Sequence, residues 1–312
     1  MTKKLSGIIS AIVTPFKGDG VDYDTFAKQT EFLIENGMDA LAYPMHYGES
    51  LNLRVQERDE CARIMVDVAA GRVPTFVNVS SAGTDLAMDA ARHAAKIGST
   101  GIVLLPPYYW EPGPAEIIEH FEKVSGAHGG QVIAYNNFHA TGVHITLDIL
   151  RTLIDRIPGF IGVKDASFDM RTFTGYCQVA QAVPRLGVYP GIEYLLNSVP
   201  IGGSGCFAAA AEVAPRLTRA LYDACAGGKF AEARELQFRM HTLLGRLMQS
   251  YPSTIKHAMG LMDRPVGDTR SPIRNINAAE KKATEELLTS LGLFDSEPQG
   301  WAQSPALRRA VG

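Results

Sequence analysis

Short apolar runs alternate with amphipathic stretches along the first 226 residues of the chain. The runs are continuously apolar, which is typical of parallel strands that are buried on both faces. We interpret eight of them as strands, at residues 8–14, 40–44, 74–79, 101–105, 131–135, 160–164, 186–190 and 201–205. Helical periodicity predicts helices between the strands, the first four at residues 23–36, 56–70, 85–96 and 114–125.

This alternation predicts an α/β fold. Eight strands, each followed by a helix, are the pattern of a (β/α)8 TIM barrel, and an open doubly wound sheet is the alternative that periodicity leaves open. Beyond residue 226 the strand-like runs stop, and residues 230–248, 253–262 and 278–291 have helical periodicity. We therefore expect a barrel domain over residues 1–226, a C-terminal helical extension over 227–295 and a flexible tail over 296–312.

Composition and charge narrow the class of protein. Of the 312 residues, 46% are hydrophobic and 20% are charged, as in ordinary globular proteins. The net charge is −3 without any basic block, and no apolar stretch approaches the ~18 residues of a membrane helix. We therefore expect neither a nucleic-acid partner nor a membrane. Four widely separated cysteines predict buried, reduced thiols and a cytoplasmic protein, and no His or carboxylate pair has metal spacing.

In a barrel, reactive side chains lie at the carboxyl ends of the strands. Lys164 ends the sixth predicted strand, where burial would lower the pKa of its amine and make it a nucleophile toward carbonyl groups. The alternative is a structural lysine that forms a salt bridge with Asp165. Tyr135 ends the fifth strand and could move protons for the amine, although an ordinary rim tyrosine is the alternative.

Seven short motifs occur in order along the chain. The chain resembles the dihydrodipicolinate synthase / N-acetylneuraminate lyase family of class I aldolases from Gly7 to about Phe294. Residues 7–16 resemble the opening strand of that family, residues 45–50 resemble its G-T/S-T-G-E loop, and residues 107–109 match its P-Y-Y. Residues 135–136 match the start of its Y-N-x-P, and residues 162–165 match its G-x-K-D/E. Residues 191 and 202–205 resemble its late glycines, and residues 270–272 resemble its R-x-P.

The resemblance implies a class I lyase whose substrate is pyruvate or a related 2-oxo acid. Lys164 would form a Schiff base with the keto carbon, Tyr135 would shuttle protons, and Tyr109 would join the hydroxyl relay from a neighbouring subunit. Backbone amides around Tyr47 and Gly48 would bind the substrate carboxylate. Gly203 would line the pocket. The resemblance implies no metal or organic cofactor, and it implies a homo-oligomer, either a dimer or a tetramer.

The loop at residues 45–50 departs from the family pattern. His46 and Tyr47 replace two small hydroxyl residues, and Met45 replaces a glycine. His46 either takes over the place of a hydroxyl in the proton relay, since imidazole titrates near neutral pH, or only fills space. Tyr47 would shrink the pocket, stack on a flat substrate or offer its hydroxyl to the substrate carboxylate.

A second departure follows Tyr135. Phe138 replaces a proline, and Ala140 replaces the arginine that holds the distal carboxylate of aspartate semialdehyde in the synthase. We therefore do not expect true dihydrodipicolinate synthase activity. Phe138 and His139, with Tyr47 and Trp110, could form an aromatic pocket for a second substrate, as in a hydratase-aldolase that releases an aromatic aldehyde and pyruvate.

Other functions stay open at this point. Asn137 and His139 could bind hydroxyl groups, as a sugar-acid aldolase or dehydratase of the 2-keto-3-deoxy type would require. The changes at residues 45–47 could also indicate a non-catalytic relative that binds a small carboxylate. The glycine-rich residues 202–205 could bind phosphate, as in a phosphate-sugar barrel enzyme of another family.

Overall fold

The strands of the computed structural model, which describes residues 4–301, form one eight-stranded sheet and a separate hairpin. The eight strands are β1 Gly7–Ala11, β2 Ala40–Tyr43, β3 Thr75–Asn78, β4 Gly101–Leu104, β5 Gln131–Asn136, β6 Phe160–Asp165, β7 Gly187–Pro190 and β8 Gly205–Ala208. Their order is β8-β1-β2-β3-β4-β5-β6-β7. This cyclic order, without the reversal of a doubly wound sheet, confirms the predicted (β/α)8 TIM barrel with C-terminal helices.

Helices follow the strands as the periodicity predicts. They are α1 Tyr23–Glu35, α2 Val55–Ala69, α3 Thr84–Lys96, α4 Pro114–His128, α5 Phe138–Thr141, α6 Leu147–Arg156, α7 Met170–Gln181, α8 Leu195–Ser198, α9 Pro215–Ala226, α10 Phe230–Leu247, α11 Ser253–Leu261, α12 Ala278–Ser290 and α13 Leu293–Ser296. The described residues beyond 226 contain no strand, as predicted. Within residues 4–301, no helix is both long enough and apolar enough to span a bilayer.

The last strand was predicted in the wrong place. Residues 201–204 belong to a 3-10 turn and the loop after it, and β8 begins only at Gly205. Gly202 adopts a φ of 111°, and a Cβ on Gly205 would lie 1.7 Å from the carbonyl oxygen of Gly7. These glycines serve a tight turn and a close backbone approach, so the strand-forming side chains come after them.

The chain divides into two compact units. In the described residues, the first contains residues 4–7 and 74–207, and the second contains residues 8–73 and 208–301. In the first unit, β3 to β7 pair in parallel, and Tyr135 on β5 is the register partner of Lys164 on β6. In the second unit, β1 pairs in parallel with β2. The helices of this unit are α1, α2 and α9 to α13. The predicted boundaries at residues 226 and 295 stay a prediction.

Two further expectations concern the thiols and the C-terminus. Cys61, Cys177, Cys206 and Cys225 are buried free thiols, as predicted. Of the predicted tail, residues 296–301 are described, and Glu297 is buried there and accepts the N–H groups of Arg216 and Leu217 at 2.9 and 2.8 Å. This part of the predicted tail is therefore packed, and residues 302–312 lie outside the described residues.

Candidate active site

Lys164 lies in an apolar, aromatic environment at the carboxyl end of β6. Lys164 is only 4% exposed. The Nζ atom lies 3.9 Å from the ring centre of Tyr135 and 4.8 Å from the ring centre of Phe207. Burial lowers the pKa of the Lys164 amine to about 7, and the negative charge of the buried Glu193 opposes this shift. A large fraction of the amine is therefore neutral and nucleophilic near neutral pH.

Asp165 does not serve as the salt-bridge partner that the sequence left open for Lys164. Its carboxylate accepts hydrogen bonds from the Asn136 side-chain amide at 2.8 Å and from the Ser167 hydroxyl at 2.9 Å. Side chains of successive strand residues point to opposite faces of a sheet, so Asp165 and Lys164 diverge. The Lys164 amine therefore contacts the aromatic rings of Tyr135 and Phe207 rather than the Asp165 carboxylate.

Tyr135 is the second predicted site residue that the structure brings to Lys164. It is buried, and its hydroxyl accepts a hydrogen bond from the side-chain amide of Asn137 at 3.2 Å. Burial raises the pKa of the Tyr135 phenol well above its usual value, so the hydroxyl keeps its proton at neutral pH. Lys164, Tyr135 and Asn137 therefore form one cluster that holds an amine beside a protonated phenol.

Sequence reasoning missed two residues that act on Lys164, namely Phe207, whose ring contacts the amine, and Glu193, whose charge raises its pKa. Phe207 lies on β8, and the prediction placed this strand too early, in the glycine-rich run that precedes it. Glu193 follows β7 and is fully buried. A buried carboxylate three residues after a strand end is visible in the sequence only once that strand end is known.

The loop after β2 forms a 3-10 turn at His46–Gly48 in the second unit. Tyr47 is buried there, and its hydroxyl donates to the carbonyl oxygen of Ala208, with the Ala11 carbonyl oxygen at 3.0 Å. The Tyr47 hydroxyl is thus hydrogen-bonded to backbone carbonyl groups. Of the three roles predicted for Tyr47, this geometry opposes the donation of its hydroxyl to a substrate carboxylate.

Gly48 is required by close packing in the same turn. A Cβ at this position would lie 2.7 Å from the carbonyl oxygen of Ile12. The Gly48 N–H donates to the carbonyl oxygen of Met45 at 3.0 Å, and its own carbonyl accepts from the Thr14 hydroxyl at 2.5 Å. The predicted role of the Gly48 amide in anion binding stays a prediction, and in this conformation the amide is used by the turn itself.

His46 is exposed, and its ring packs on Tyr251 with 5.4 Å between ring centres. Tyr109 is 82% exposed and adopts a φ of 79°, a left-handed conformation that is costly for a tyrosine. Neither ring is buried in its own unit. Their predicted roles in a proton relay therefore stay predictions, and an exposed Tyr109 is compatible with a ring that reaches a second subunit.

The residues predicted to form a second-substrate pocket lie on α5 and its flanks. Phe138 is 45% exposed and contacts the rings of His139 and His144, with centres 5.9 and 6.1 Å away. The Nε2 atom of His139 lies 2.9 Å from the carbonyl oxygen of Ser167. Ala140, at the position of the synthase arginine, is exposed on the same short helix. The predicted pocket roles of Phe138 and His139 stay predictions.

Gly203 precedes the amino end of β8, whereas Lys164 lies at the carboxyl end of its strand. A Cβ on Gly203 would lie 2.7 Å from the carbonyl oxygen of Ser198, which explains the glycine by the packing of the turn. Its predicted role in lining the pocket stays a prediction without a supporting contact. Among residues 4–301, no group of three or more His, Cys, Asp or Glu side chains is arranged to hold a metal ion.

The sequence matches the Dihydrodipicolinate synthetase family over residues 4–291, which is nearly the whole chain. The chain belongs to this family. It is therefore an enzyme of the lyase and aldolase class, and the predicted family is confirmed.

Relatives within the dihydrodipicolinate synthetase family differ in the reaction that their names give. The 4-hydroxy-tetrahydrodipicolinate synthase of Methanococcus aeolicus is 28% identical over 292 residues, covering 93% of this chain and 100% of its own. The "probable 2-dehydro-3-deoxy-D-pentonate aldolase YjhH" of Escherichia coli K12 is 30% identical over 298 residues, covering 94% and 99%. Both reaction types therefore occur among relatives at similar distance.

Solved structures of family members share the fold along the whole barrel. YagE, a prophage protein of the dihydrodipicolinic acid synthase family from E. coli K12 solved in complex with pyruvate, superposes with a TM-score of 0.88 at 28% identity, covering 92% of this chain and 99% of its own. The dihydrodipicolinate synthase of Aquifex aeolicus superposes with a TM-score of 0.87 at 26% identity, covering 93% and 98%.

Proposed function

We propose that this protein is a class I lyase that binds pyruvate or a related 2-oxo acid as a Schiff base on Lys164. The observation that carries the proposal is the buried Lys164 amine between two aromatic rings, with its pKa lowered to about 7 by desolvation. The family relative YagE, whose structure contains pyruvate, supports a 2-oxo acid as the substrate class.

The neutral Lys164 amine attacks the keto carbon, a carbon–nitrogen bond forms, and the keto oxygen leaves as water. The resulting iminium is an electron sink. In the cleavage direction, the bond between the third and fourth substrate carbons breaks and its electron pair moves toward the iminium, giving an enamine and an aldehyde. Protonation of the enamine and addition of water then release the 2-oxo acid and restore the amine.

Tyr135 is the proton carrier that its position favours. Its raised pKa keeps the phenol protonated, so it donates a proton to the departing keto oxygen, and in cleavage it relays the proton of the substrate hydroxyl. Asn137 holds the phenol by the hydrogen bond at 3.2 Å. The family resemblance adds Tyr109 from a second subunit, His46 in the relay and the turn at Tyr47 and Gly48 as the carboxylate site.

The second substrate is proposed to be an aldehyde without a carboxylate at the place that the synthase arginine serves, since Ala140 offers no charge there. Sugar-acid chemistry of the 2-keto-3-deoxy type is favoured by the relative named as a pentonate aldolase. The exposed Phe138 ring favours the alternative, a hydratase-aldolase that acts on an aromatic aldehyde.

The test of the Schiff base is reductive trapping. The protein is incubated with pyruvate and with a panel of larger 2-oxo acids, borohydride is added, and the modified peptide is located by mass spectrometry. We expect the adduct on Lys164. If no member of the panel modifies Lys164, the proposed function is wrong. Thermal stabilisation by pyruvate that persists in Lys164→Ala, without any turnover, would instead indicate a non-catalytic carboxylate-binding protein.

The second substrate is tested by condensation of pyruvate with three aldehydes: aspartate semialdehyde, a short hydroxyaldehyde and benzaldehyde. We expect little product with aspartate semialdehyde, and an Ala140→Arg variant should raise that activity selectively. Product from aspartate semialdehyde at the rate of the best aldehyde would contradict the exclusion of the synthase reaction.

A further inference from the structure

The second aromatic face beside Lys164 belongs to Phe207, a residue to which the family resemblance assigned no role. Its ring is buried, and the ring centre lies 4.8 Å from Nζ. The Tyr135 ring lies 3.9 Å from the same atom. An ammonium within about 6 Å of a ring centre is attracted by the negative face of the ring.

The position of the Phe207 ring is fixed by Tyr189, which packs edge-on against it at 5.9 Å and 82°. The Tyr189 hydroxyl donates to the carbonyl oxygen of Leu5 at 2.7 Å, which anchors the far end of this ring. Glycines make room for it: a Cβ on Gly162 or Gly187 would lie 2.9 or 2.1 Å from Tyr189 atoms. Glycines on β6 and β7 therefore leave space for the Tyr189 ring, which in turn packs against Phe207.

We propose that Phe207 is a catalytic residue, whose aromatic face stabilises the cationic iminium that forms on Lys164. The inference rests on the proposed function, because without a Schiff base there is no iminium to stabilise. It goes beyond that function because it assigns part of the stabilisation to the electrons of a ring rather than to a hydrogen-bond donor or a charge.

The charge balance of the step makes the effect measurable. A neutral amine, a 2-oxo acid and one proton give one iminium cation and one water, so a positive charge appears beside the ring. When the step starts from the ammonium, the charge is present before and after, and the ring contributes little difference. The titratable groups that act on Lys164 in this unit are Tyr135 and Glu193, and neither is changed in the test.

The test replaces Phe207 by mono-, di- and trifluorophenylalanine, which nearly keep its shape and progressively weaken the negative ring face. The Schiff-base equilibrium with pyruvate is measured by borohydride trapping well above and well below the pKa of the Lys164 amine. Above it, we expect the equilibrium constant to fall stepwise with fluorination, roughly 2- to 30-fold over the series. Below it, we expect the series to be nearly flat.

The same series at the buried Phe121 on α4 is the matched control and should leave the equilibrium unchanged. Phe207→Leu should match the trifluoro variant, because it keeps an apolar side chain and removes the ring. A Phe207 series that is flat at both pH values, while the adduct still forms on Lys164, would overturn the inference and leave the proposed function intact. Absence of any adduct with native Phe207 would overturn the proposed function instead.

Discussion

Two buried lysines in different units of the chain, Lys164 and Lys256, have opposite surroundings. Lys164 faces the rings of Tyr135 and Phe207, whereas Lys256 on α11 forms an ion pair with Glu49 at 2.6 Å. The Lys256 and Glu49 side chains are 2% and 0% exposed. The Lys256 amine also donates to the carbonyl oxygen of Asp268 at 3.0 Å, and Glu49 accepts the Arg270 N–H at 2.9 Å.

The comparison separates the effect of burial from the effect of a partner. Desolvation lowers the pKa of both amines, and a carboxylate raises it again in both. Glu49 does so within hydrogen-bonding distance of the Lys256 amine. Lys164 contacts aromatic rings instead, and desolvation lowers the pKa of its amine to about 7. Burial without a contacting carboxylate makes a nucleophile, and burial with one makes a structural link.

The largest expected effect is the loss of chemistry in Lys164→Met. We expect trapping with pyruvate to disappear and turnover to fall by a factor of at least about 1,000, because the nucleophile is gone. The free energy of unfolding should stay unchanged or rise, since methionine replaces a poorly solvated amine. Trapping and urea denaturation measure the two properties. A pyruvate adduct on another lysine, at the native rate, would contradict the assignment.

Lys256→Met should have the opposite profile. It leaves Glu49 as a buried carboxylate without its ammonium partner, and we expect the free energy of unfolding to fall by about 3–5 kcal/mol in urea titrations. The amine of Lys164 should still be trapped in the folded fraction. The double variant Glu49→Gln, Lys256→Met should recover most of the lost stability. Lys164→Met, which replaces the other buried lysine in the same way, is the matched control for the single variant Lys256→Met. Native stability of Lys256→Met would show that the pair contributes nothing.

The chemistry of this comparison could be predicted from the sequence at only one of the two lysines. Lys164 and Tyr135 end adjacent parallel strands, and strand ends of a barrel meet at one rim, so local patterns were sufficient. Glu49 and Lys256 are far apart in the chain, and no periodicity indicates which lysine a carboxylate contacts. The fold follows from the apolar runs, except at β8, where the predicted strand at residues 201–205 precedes the observed strand Gly205–Ala208.

The misplaced prediction of β8 is also the reason why Phe207 was not predicted as a site residue. In the sequence, Phe207 is one of several apolar residues after the glycine-rich run, and only the three-dimensional structure shows that its ring lies beside Lys164. The commitment of the Tyr47 hydroxyl to backbone carbonyl groups was equally hidden, because it depends on the path of the backbone at Ala11 and Ala208. Contacts of this kind are set by tertiary packing rather than by local sequence.

The pH dependence of trapping measures the difference between the two lysines directly. Raising the pH removes a proton from the Lys164 ammonium, so the trapping rate should rise tenfold per unit below about 7 and level off above it. An ordinary lysine would continue to rise toward about 10.5. Near pH 8 the neutral fraction at Lys164 should exceed that of an ordinary lysine by roughly 300-fold. A profile without a plateau below about pH 9 would show that burial does not shift this amine.

The smallest expected effect tests how Lys164 senses charge. Glu193 raises the pKa of the Lys164 amine by its buried negative charge, so Glu193→Gln should move the midpoint of the trapping profile to lower pH by a fraction of a unit. Asp165→Asn is the matched control, because that carboxylate is bonded to Asn136 and Ser167, and it should leave the midpoint in place. A larger shift from Asp165→Asn than from Glu193→Gln would mean that the adjacent carboxylate pairs with Lys164 after all. A shift of several units from Glu193→Gln would make Lys164 a salt-bridged lysine of the Lys256 type, and the contrast between the two environments would disappear.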